Sequence, residues 1–197
     1  MTRQPRGEER RRRILRAALA VIGSGGIGAV THRSVAEVAE VPLGSLTYYF
    51  ESKEDLLREA LLLFVEEETA RLRALGESLA AERSSPEAIA ERFAEALAGT
   101  DPDQVAQFEL YLEASRNPAL REPAAACFAA YEEVCVVALR AAGIADGERF
   151  APLFVGLADG LGLRRVAAPG PHDGADLAAG LAALLETLET LETRAPA

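Results

Sequence analysis

The sequence predicts an all-α protein of about nine helices. The 197-residue chain is 49% hydrophobic but only 6% aromatic. Ala and Leu dominate its apolar residues, which favours helices over strands. These apolar residues recur at intervals of three and four along most of the chain, the spacing of one helix face. Pro, Gly and capping residues interrupt the pattern where helices are expected to begin and end.

The composition excludes several classes of protein. No apolar stretch approaches the roughly 18 residues of a membrane span. The N-terminal arginines precede no signal-peptide core, so the cytoplasm is the expected location. Cys127 and Cys135 are eight residues apart in an apolar helical stretch, which favours two buried thiols over a disulfide. The sequence has no metal-ligand spacing and no phosphate-binding loop, so we expect no metal site and no cofactor.

Charge is distributed unevenly along the chain, whose net formal charge is −10. Residues 1–33 contain eight arginines and two acidic residues, whereas residues 59–197 contain eleven arginines and 24 acidic residues. A basic end attracts nucleic acid and an acidic remainder repels it. The distribution therefore points to DNA binding by the N-terminal part alone.

The first 30 residues predict an arm and one helix. Residues 1–7 are polar and include Pro5 and Gly7, so we expect a flexible basic arm. This arm is either a plain disordered terminus or a contact to phosphate and the minor groove. Residues 8–23 have a helical apolar stripe, and the glycines that follow favour the end of that helix. The stripe consists of Ile14, Ala18, Val21 and Ile22.

Residues 31–53 predict two short helices joined by a tight turn. Thr31 is a suitable N-cap for the first, and Ser34 is the alternative start. Val-Pro-Leu-Gly at 41–44 interrupts the helical pattern. Residues 45–50 then form the second helix, with Leu46 and Phe50 assigned to the core. This is the pattern of a helix-turn-helix, whose second helix enters the major groove of DNA.

A longer fourth helix is expected to begin at Ser52 and to continue to about Leu75, before Gly76. The simplest interpretation of the acidic triplet Glu66–Glu68 is a solvated face. The expected buried face consists of Leu57, Leu61, Phe64, Leu72 and Leu75.

Five further helices are predicted after Gly76. Ser85-Pro86 and Asp101-Pro102 each combine an N-cap with a proline at the first helical position. Asn117-Pro118 and Pro169-Gly170-Pro171 are expected breaks. The predicted helices cover residues 85–98, 101–116, 124–142, 148–167 and 173 onwards.

Residues 8–57 resemble the N-terminal domain of the TetR family of bacterial transcription regulators. The resemblance rests on the Arg-rich first helix with its Gly-containing loop, and on Thr-x-Arg at the start of helix two. It extends through Val-Pro-Leu-Gly-Ser-Leu-Thr-Tyr-Tyr-Phe and Ser-Lys-Glu-Asp-Leu-Leu. Where the family most often has Leu-Tyr-Tyr-His-Phe, this chain has Thr47 in place of a Tyr and Tyr49 in place of a phosphate-contacting His. The family's operator preferences therefore do not transfer to this chain.

The resemblance implies a DNA-binding domain followed by a helical ligand-binding and dimerisation domain. The expected helix-turn-helix domain covers residues 8–52 and the second domain covers 53–192, of which 53–75 form a linking helix. The arm at 1–7 and a flexible tail at 193–197 complete the chain.

The expected DNA contacts combine the chemistry of the residues with the family pattern. The planar guanidinium of Arg33 suits the O6/N7 edge of guanine, although a phosphate contact or a plain surface position is the alternative. Lys53 stands at a helix N-terminus, itself an anion site, where the family has a phosphate-contacting lysine. Thr47 and Tyr48 are expected to face thymine methyl groups. The full set is Thr31, His32, Arg33, Leu43, Gly44, Ser45, Thr47, Tyr48, Tyr49 and Lys53.

A ligand cavity among helices four to eight is also implied by the resemblance, with a hydrophobic or amphipathic small molecule as the effector. Apolar walls with a few polar groups are typical of such pockets. Core packing or a surface ion pair is the simpler interpretation of each candidate taken singly. The candidates are Phe64, Phe108, Glu109, Tyr111, Leu112, Arg116, Phe128, Tyr131 and Phe154.

The last two helices are where TetR-like proteins build a two-fold dimer interface. The final helix has an uninterrupted leucine stripe, which needs a partner. An intramolecular core is the alternative to a dimer. The expected interface residues are Leu153, Gly156, Gly160, Leu177, Leu181, Leu184, Leu185 and Leu188.

The sequence thus predicts a homodimeric repressor that binds a palindromic operator in double-stranded DNA and is released by a small molecule. One alternative is a dimeric DNA-binding regulator controlled by a protein partner or by its abundance. An all-α enzyme using Glu109 and Glu113 as an acid–base pair is the other, and it lacks a nucleophile–base constellation.

Overall fold

The structure of the protein is a computed structural model that describes residues 5–82, 84–97 and 102–194. Over these ranges the chain forms nine α-helices and two short 3-10 helices, without a strand. The predicted all-α fold is therefore confirmed. Within the same ranges, no helix combines the length and apolarity that crossing a membrane requires.

The helices follow one another with short connections. Two 3-10 helices lie between them, at Ile27–Ala29 and Pro118–Leu120. The α-helices are α1 Pro5–Gly25, α2 His32–Val38, α3 Leu43–Tyr49, α4 Lys53–Glu82, α5 Pro86–Leu97, α6 Pro102–Ala114, α7 Arg121–Ala141, α8 Gly147–Ala167 and α9 Asp173–Arg194.

Packing groups these helices into two compact units. Unit 1 comprises the described parts of residues 1–67 and 101–127, and unit 2 those of 68–100 and 128–197. Helix α6 thus packs with the N-terminal helices. The division expected from the sequence, at residues 52 and 53, concerns function and stays a prediction.

The core of unit 1 forms around α1. One face of this helix is fully buried and packs against α2 and α6. At its C-terminal end, a Cβ added to Gly23 would lie 2.1 Å from the carbonyl oxygen of Pro102. Only glycine permits this approach of two backbones. The largest fully buried side chains of the unit include Ile14, Leu15, Leu19, Ile22, Leu46, Phe50, Leu57 and Leu61.

Unit 2 forms around α9, which packs against α5 and α8. The leucine stripe of α9 provides the centre of this core, together with aromatic residues of α5 and α8. Its members include Phe93, Phe154, Leu177, Leu181, Leu185 and Leu188.

Two predicted boundaries were wrong. Helix α1 begins at Pro5, so residues 5–7 are helical rather than part of a flexible arm. Proline is accepted in a first helical turn, and the carboxylate of Glu8 interacts favourably with the positive, N-terminal end of the helix dipole. Helix α4 continues through Gly76 to Glu82, because a glycine costs about 1 kcal/mol in a helix and the good helix formers after it offset that.

Some predictions fall outside the described residues. They are the first four residues of the arm, the N-cap at Asp101, the end of the fifth helix at Ala98 and the last three residues of the tail. Residues 193 and 194, assigned to the tail, belong to α9.

Candidate nucleic-acid interface

Helix α2 begins with a complete capping box. The backbone N–H of Ser34 donates to Oγ1 of Thr31 over 3.0 Å, and the backbone N–H of Thr31 donates to Oγ of Ser34 over 3.0 Å. The Ser34 hydroxyl also lies 2.8 Å from the carbonyl oxygen of Ala29. The predicted N-cap at Thr31 is confirmed, and the reciprocal bonds fix the direction in which α2 starts.

The turn between α2 and α3 is a Schellman motif with a glutamate in the position that usually holds glycine. Glu40 has a φ of 51°. The N–H of Val41 donates to the carbonyl of Ala36 over 3.0 Å, and that of Glu40 to the carbonyl of Glu37 over 3.2 Å. The motif satisfies the last carbonyls of α2, while a non-glycine residue in this region is strained. The sequence offered no glycine to signal it.

Helix α3 separates buried from exposed residues. Leu46 and Phe50 are buried in unit 1, as predicted. Leu43 is 51% exposed, and Tyr48, at 82%, is the most exposed large apolar or aromatic side chain among the described residues. The Thr47 hydroxyl donates to the carbonyl of Gly44 over 3.2 Å, so its proton is already engaged with the helix backbone. Gly44 and Thr47 are exposed as well, and Ser45 is half-buried.

Tyr49 is held on two sides. Its ring packs edge-on against that of Tyr48, with centroids 5.1 Å apart. A Cβ built on Gly7 would lie 3.5 Å from the Tyr49 hydroxyl, which places that hydroxyl beside the first turns of α1. The residue is half-buried, so the substitution for the family's histidine also serves packing.

Two cationic candidates have different environments. Arg33 is exposed and forms no hydrogen bond or ion pair with another described residue. Lys53, by contrast, donates from Nζ to the carbonyl oxygen of Ile27 over 2.7 Å. This bond ties the start of α4 to the 3-10 helix before α2, a role that the sequence did not indicate. An ammonium has three N–H donors, so two remain for a phosphate.

The remaining candidates lie at the N-terminus of α2. Thr31 is exposed and His32 is half-buried, with its Nε2 atom buried and without a hydrogen-bond partner. Both stand where the backbone N–H groups of a helix start favour an anion.

The arginines of α1 are only partly available to DNA. Arg11, Arg12 and Arg16 form ion pairs with glutamates of α4. The interpretation of Glu66–Glu68 as a solvated face holds for Glu66, whose side chain is 70% exposed, but not for the half-buried Glu67 and Glu68. Each of the three carboxylates also contacts an arginine. An i, i+1, i+2 run does not reveal a partner on another helix, so the sequence alone could not show this pairing.

A small apolar pocket lies within unit 2. It has a volume of about 50 Å³ and lies among α5, α7, α8 and α9. Its lining includes Phe93, Leu97, Cys135, Leu139, Phe154 and Leu181.

Most of the predicted pocket residues lie elsewhere. Of the predicted residues, Phe154 lines this pocket. Phe64 and the candidates between residues 108 and 116 belong to unit 1, and Leu112 is 57% exposed. Phe128 and Tyr131 belong to unit 2 but are not among the residues that line this pocket. The prediction selected polar and aromatic residues, whereas the walls of this pocket are mostly aliphatic. A ligand site at the other candidates stays a prediction.

Half-buried acidic and thiol groups lie beside the pocket. Burial raises the pKa of the Cys135 thiol to about 12, and the carboxylates of Glu132 and Asp159 add to that shift. Burial also raises the pKa of Asp159 to about 6. Cys127, which is buried in unit 1, likewise has its pKa raised to about 12 by burial. Such thiols are inert at neutral pH. The described residues contain no cluster that could hold a metal ion.

The predicted dimer residues divide into two groups. Leu177, Leu181, Leu185 and Leu188 are between 1% and 5% exposed and lie in the core of unit 2. Their assignment to an interface was wrong, because the same chain already covers them. Leu184 is half-buried against this core. On α8 the predicted residues remain accessible, with Leu153 at 55% exposure and both Gly156 and Gly160 open to added atoms.

A capped helix-turn-helix with an exposed recognition helix, within an all-helical chain, defines the class of helix-turn-helix transcription regulators. The family follows from sequence comparison. A family model described as bacterial regulatory proteins, tetR family, matches residues 14–60, and one described as tetracyclin repressor-like, C-terminal domain, matches residues 84–189. The chain therefore belongs to the TetR family of bacterial transcription regulators.

Individual relatives agree with this assignment. The HTH-type transcriptional repressor KstR of Mycolicibacterium smegmatis is 55% identical over 53 residues, which are 27% of this chain and 26% of KstR. The match thus spans about a quarter of the length of this curated relative. A TetR-family transcriptional regulator from Rhodococcus sp. has a structure with a TM-score of 0.75 and 26% identity, over 92% of this chain and 98% of that one.

The multidrug binding protein EbrR is similar over most of its length. Its complex with ethidium gives a TM-score of 0.67 at 36% identity, over 89% of this chain and 98% of that one. Its complex with proflavin gives a TM-score of 0.64 at 32% identity, over 89% and 99% of the two chains.

Proposed function

We propose that the protein is a TetR-type repressor that binds a palindromic operator as a dimer and is released by a small molecule bound in unit 2. The exposure pattern of α3 carries the proposal. Leu46 is fixed in the core while Leu43 and Tyr48 remain exposed, and burial of such residues in a DNA groove would explain that exposure. The similarity to KstR supports repression. Because the target is chromosomal DNA, the protein would act in the cytoplasm.

The proposed DNA contacts separate base recognition from positioning. Arg33, exposed and unpaired among the described residues, is free to form two hydrogen bonds with a guanine. The engaged hydroxyl of Thr47 leaves its methyl group for a thymine, and Tyr48 offers an aromatic surface. Thr31, His32, Ser45, Tyr49 and Lys53 would contact phosphates, which position the protein without reading sequence. Leu43 and Gly44 would set how closely α3 approaches the bases.

The proposed dimer uses the accessible face of α8. Leu153, Gly156, Gly160 and Leu163 share one face by their spacing, and Leu163 is 48% exposed. A two-fold dimer would place two recognition helices about one DNA turn apart, roughly 34–36 Å. Glutamate substitutions at Leu153 and Leu163 should therefore produce monomers in sedimentation experiments.

The proposed effector is a hydrophobic or amphipathic compound, with an organic cation favoured. The apolar pocket and the nearby carboxylates of Glu132 and Asp159 complement such a molecule. Ethidium and proflavin, the compounds bound to EbrR, have this chemistry. A pocket of about 50 Å³ is smaller than the roughly 300–1,000 Å³ of typical ligand sites. Binding would therefore select an opened state, which favours a conformation that no longer fits the operator.

The small volume of the pocket also supports a second candidate. A dimeric regulator without a small-molecule ligand, controlled by a protein partner or by its abundance, needs no larger cavity. DNA binding and dimerisation would be the same in both cases, and only release would differ.

Selection from random-sequence DNA tests the proposal. The protein should enrich a sequence with two inverted half-sites. Ethidium and proflavin also intercalate into DNA, so their binding is measured as a rise in the melting temperature of the DNA-free protein. A non-intercalating organic cation such as tetraphenylphosphonium should lower the affinity of the protein for the selected duplex in a filter assay. Neutral compounds of similar size serve as controls. Enrichment of an asymmetric sequence would contradict the dimer. Failure of cationic and neutral hydrophobic compounds alike to release the operator would favour the second candidate.

A further inference from the structure

The arginines of α1 fall into two groups with different surroundings. Arg11, Arg12 and Arg16 are paired with carboxylates of α4. Arg6, Arg10 and Arg13 are exposed and form no ion pair with another described residue. The same residue type on the same helix therefore has two kinds of contact.

We infer that Arg16 and Glu67, with the pairs beside them, are positioning residues for operator binding, and that they hold the first half of α4 against the helix-turn-helix. This inference rests on the proposed function. It separates three arginines that position the helix-turn-helix from three that are available to DNA phosphates.

The geometry of the pairs is that of a ladder between two helices. Arg16 contacts both carboxylate oxygens of Glu67, at 2.7 Å from Nη2 and 3.4 Å from Nε. Arg12 lies 3.2 Å from Glu66 and 3.7 Å from Glu67. Arg11 bonds to Glu59. We call these contacts the α1–α4 ladder.

The ladder is supported by its surroundings. The hydrogen bond to Glu67, followed by the attraction of its charge, raises the pKa of Arg16. A two-pronged arginine–carboxylate contact restricts both side chains more than a single contact does. Leu15, Leu62 and Leu63 line the groove beside Arg11 and Arg12, together with the charged side chains of the pairs.

The position of the ladder connects it to DNA recognition. The guanidinium of Arg11 lies over the ring of Phe50, 5.8 Å from its centroid, and Phe50 directly follows α3. At the other end, Glu67 is the last α4 residue of unit 1. The next residue, Glu68, pairs within α4 with Arg71 instead. The ladder thus spans the part of α4 that belongs to unit 1 and ends where that unit ends.

Three variants with matched chemistry test the inference. They are Arg16→Gln, Glu67→Gln and, as the control, Arg13→Gln on the same helix. The probes are the duplex that the wild-type protein selects from random-sequence DNA and a scrambled duplex of equal length. The measured quantities are both affinities, their dependence on salt concentration, and the melting temperature of each variant.

The ladder predicts the same direction for opposite changes of charge. Arg16→Gln and Glu67→Gln should each weaken binding of the selected duplex by about three- to tenfold, since each dimer loses the pair twice. Neither should change how the affinity for the scrambled duplex depends on salt concentration. Arg13→Gln should instead lower the magnitude of the slope of log affinity against log salt concentration by about 2 per dimer, because one phosphate contact per subunit is lost. Arg16→Lys, which keeps the charge but loses the two-pronged contact, should bind the selected duplex more weakly than the wild-type protein and more tightly than Arg16→Gln.

Other results would overturn the inference. If Glu67→Gln tightened binding while Arg16→Gln weakened it, net charge alone would account for the data. If Arg16→Gln and Glu67→Gln lowered the melting temperature but left the ratio of the affinities for the selected and scrambled duplexes unchanged, the ladder would stabilise the fold without positioning the helix-turn-helix. A wild-type protein that selects no sequence would instead overturn the proposed function, and the inference with it.

Discussion

The helix-turn-helix and the apolar pocket of unit 2 are built in opposite ways. The helix-turn-helix is contiguous in sequence, and its geometry depends on local bonds such as the capping box of Thr31 and Ser34. The pocket draws its walls from four helices between residues 89 and 185. A contiguous site leaves motifs in the sequence, whereas a site assembled from distant helices leaves only apolar spacing, which it shares with any core.

The two regions also differ in what they leave unsatisfied. The helix-turn-helix exposes the apolar side chain of Leu43, the aromatic side chain of Tyr48 and the cationic side chain of Arg33. Its backbone is strained at Glu40. The pocket region instead partly buries a carboxylate, Asp159, beside aliphatic walls. The exposed apolar side chains and the desolvated carboxylate are the features that a ligand of complementary chemistry could offset, DNA in one case and a cation in the other.

The largest effect on stability is expected in the pocket region. Leu185→Ala removes a side chain that is 3% exposed and lines the pocket. It should lower the free energy of unfolding by about 2–4 kcal/mol in urea titrations. Leu153→Ala, at a position 55% exposed, should cost less than about 0.5 kcal/mol at dilutions where the protein is monomeric. Similar costs for both would mean that α9 is not the centre of this core.

The next effect depends on pH. Because burial raises the pKa of Asp159 from 3.8 to about 6, the native state binds this proton more tightly than the unfolded chain. Stability should therefore fall as the pH rises between these values, and the whole cost is present at pH 7. Asp159→Asn should then stabilise the protein at pH 7 by up to about 3 kcal/mol, and should have little effect near pH 4. A pH-independent gain in thermal unfolding would contradict the assignment.

A smaller gain is expected in the helix-turn-helix. Glu40→Gly removes the strain of a side chain at a φ of 51° and should stabilise unit 1 by about 1 kcal/mol. Glu40→Ala is the control, since it removes the charge but keeps the strain. An equal gain from both variants would show that charge, rather than backbone conformation, is the cause.

The smallest effect is expected in unit 2, where a glycine is replaced rather than introduced. Gly76 is inside α4, and an added Cβ would lie 3.5 Å from Val137 and 3.7 Å from Phe93, which are ordinary contacts. Gly76→Ala should stabilise the chain by about 0.5–1 kcal/mol through helix propensity. Gly23→Ala, where the added atom would lie 2.1 Å from a carbonyl oxygen, should destabilise it instead. A gain from both would mean that α1 and α6 do not approach as closely as described.

The contrast between the regions explains what the sequence could predict. Thr31 as N-cap and Pro86 at the start of α5 follow from local chemistry, and both were found correctly. The buried assignment of Leu46 and Phe50 follows from their spacing on a short helix.

What the sequence could not predict depends on contacts between distant segments. A leucine stripe on α9 shows that a partner exists, but the partner, here α5 and α8 of the same chain, is not encoded locally. The bonds from Lys53 to Ile27 and from Arg16 to Glu67 are likewise tertiary. Glu40 gave no signal, because only the surrounding structure imposes its conformation.

The most direct test of the central claim, that α2 and α3 read a specific operator, is the affinity of Arg33→Ala for the selected duplex and for a scrambled one. Loss of a two-bond guanine contact costs about 1–3 kcal/mol per half-site. Specific binding should therefore weaken by at least about tenfold, while binding to the scrambled duplex changes only slightly. An equal loss on both duplexes would contradict base recognition by Arg33 and reduce its role to a phosphate contact.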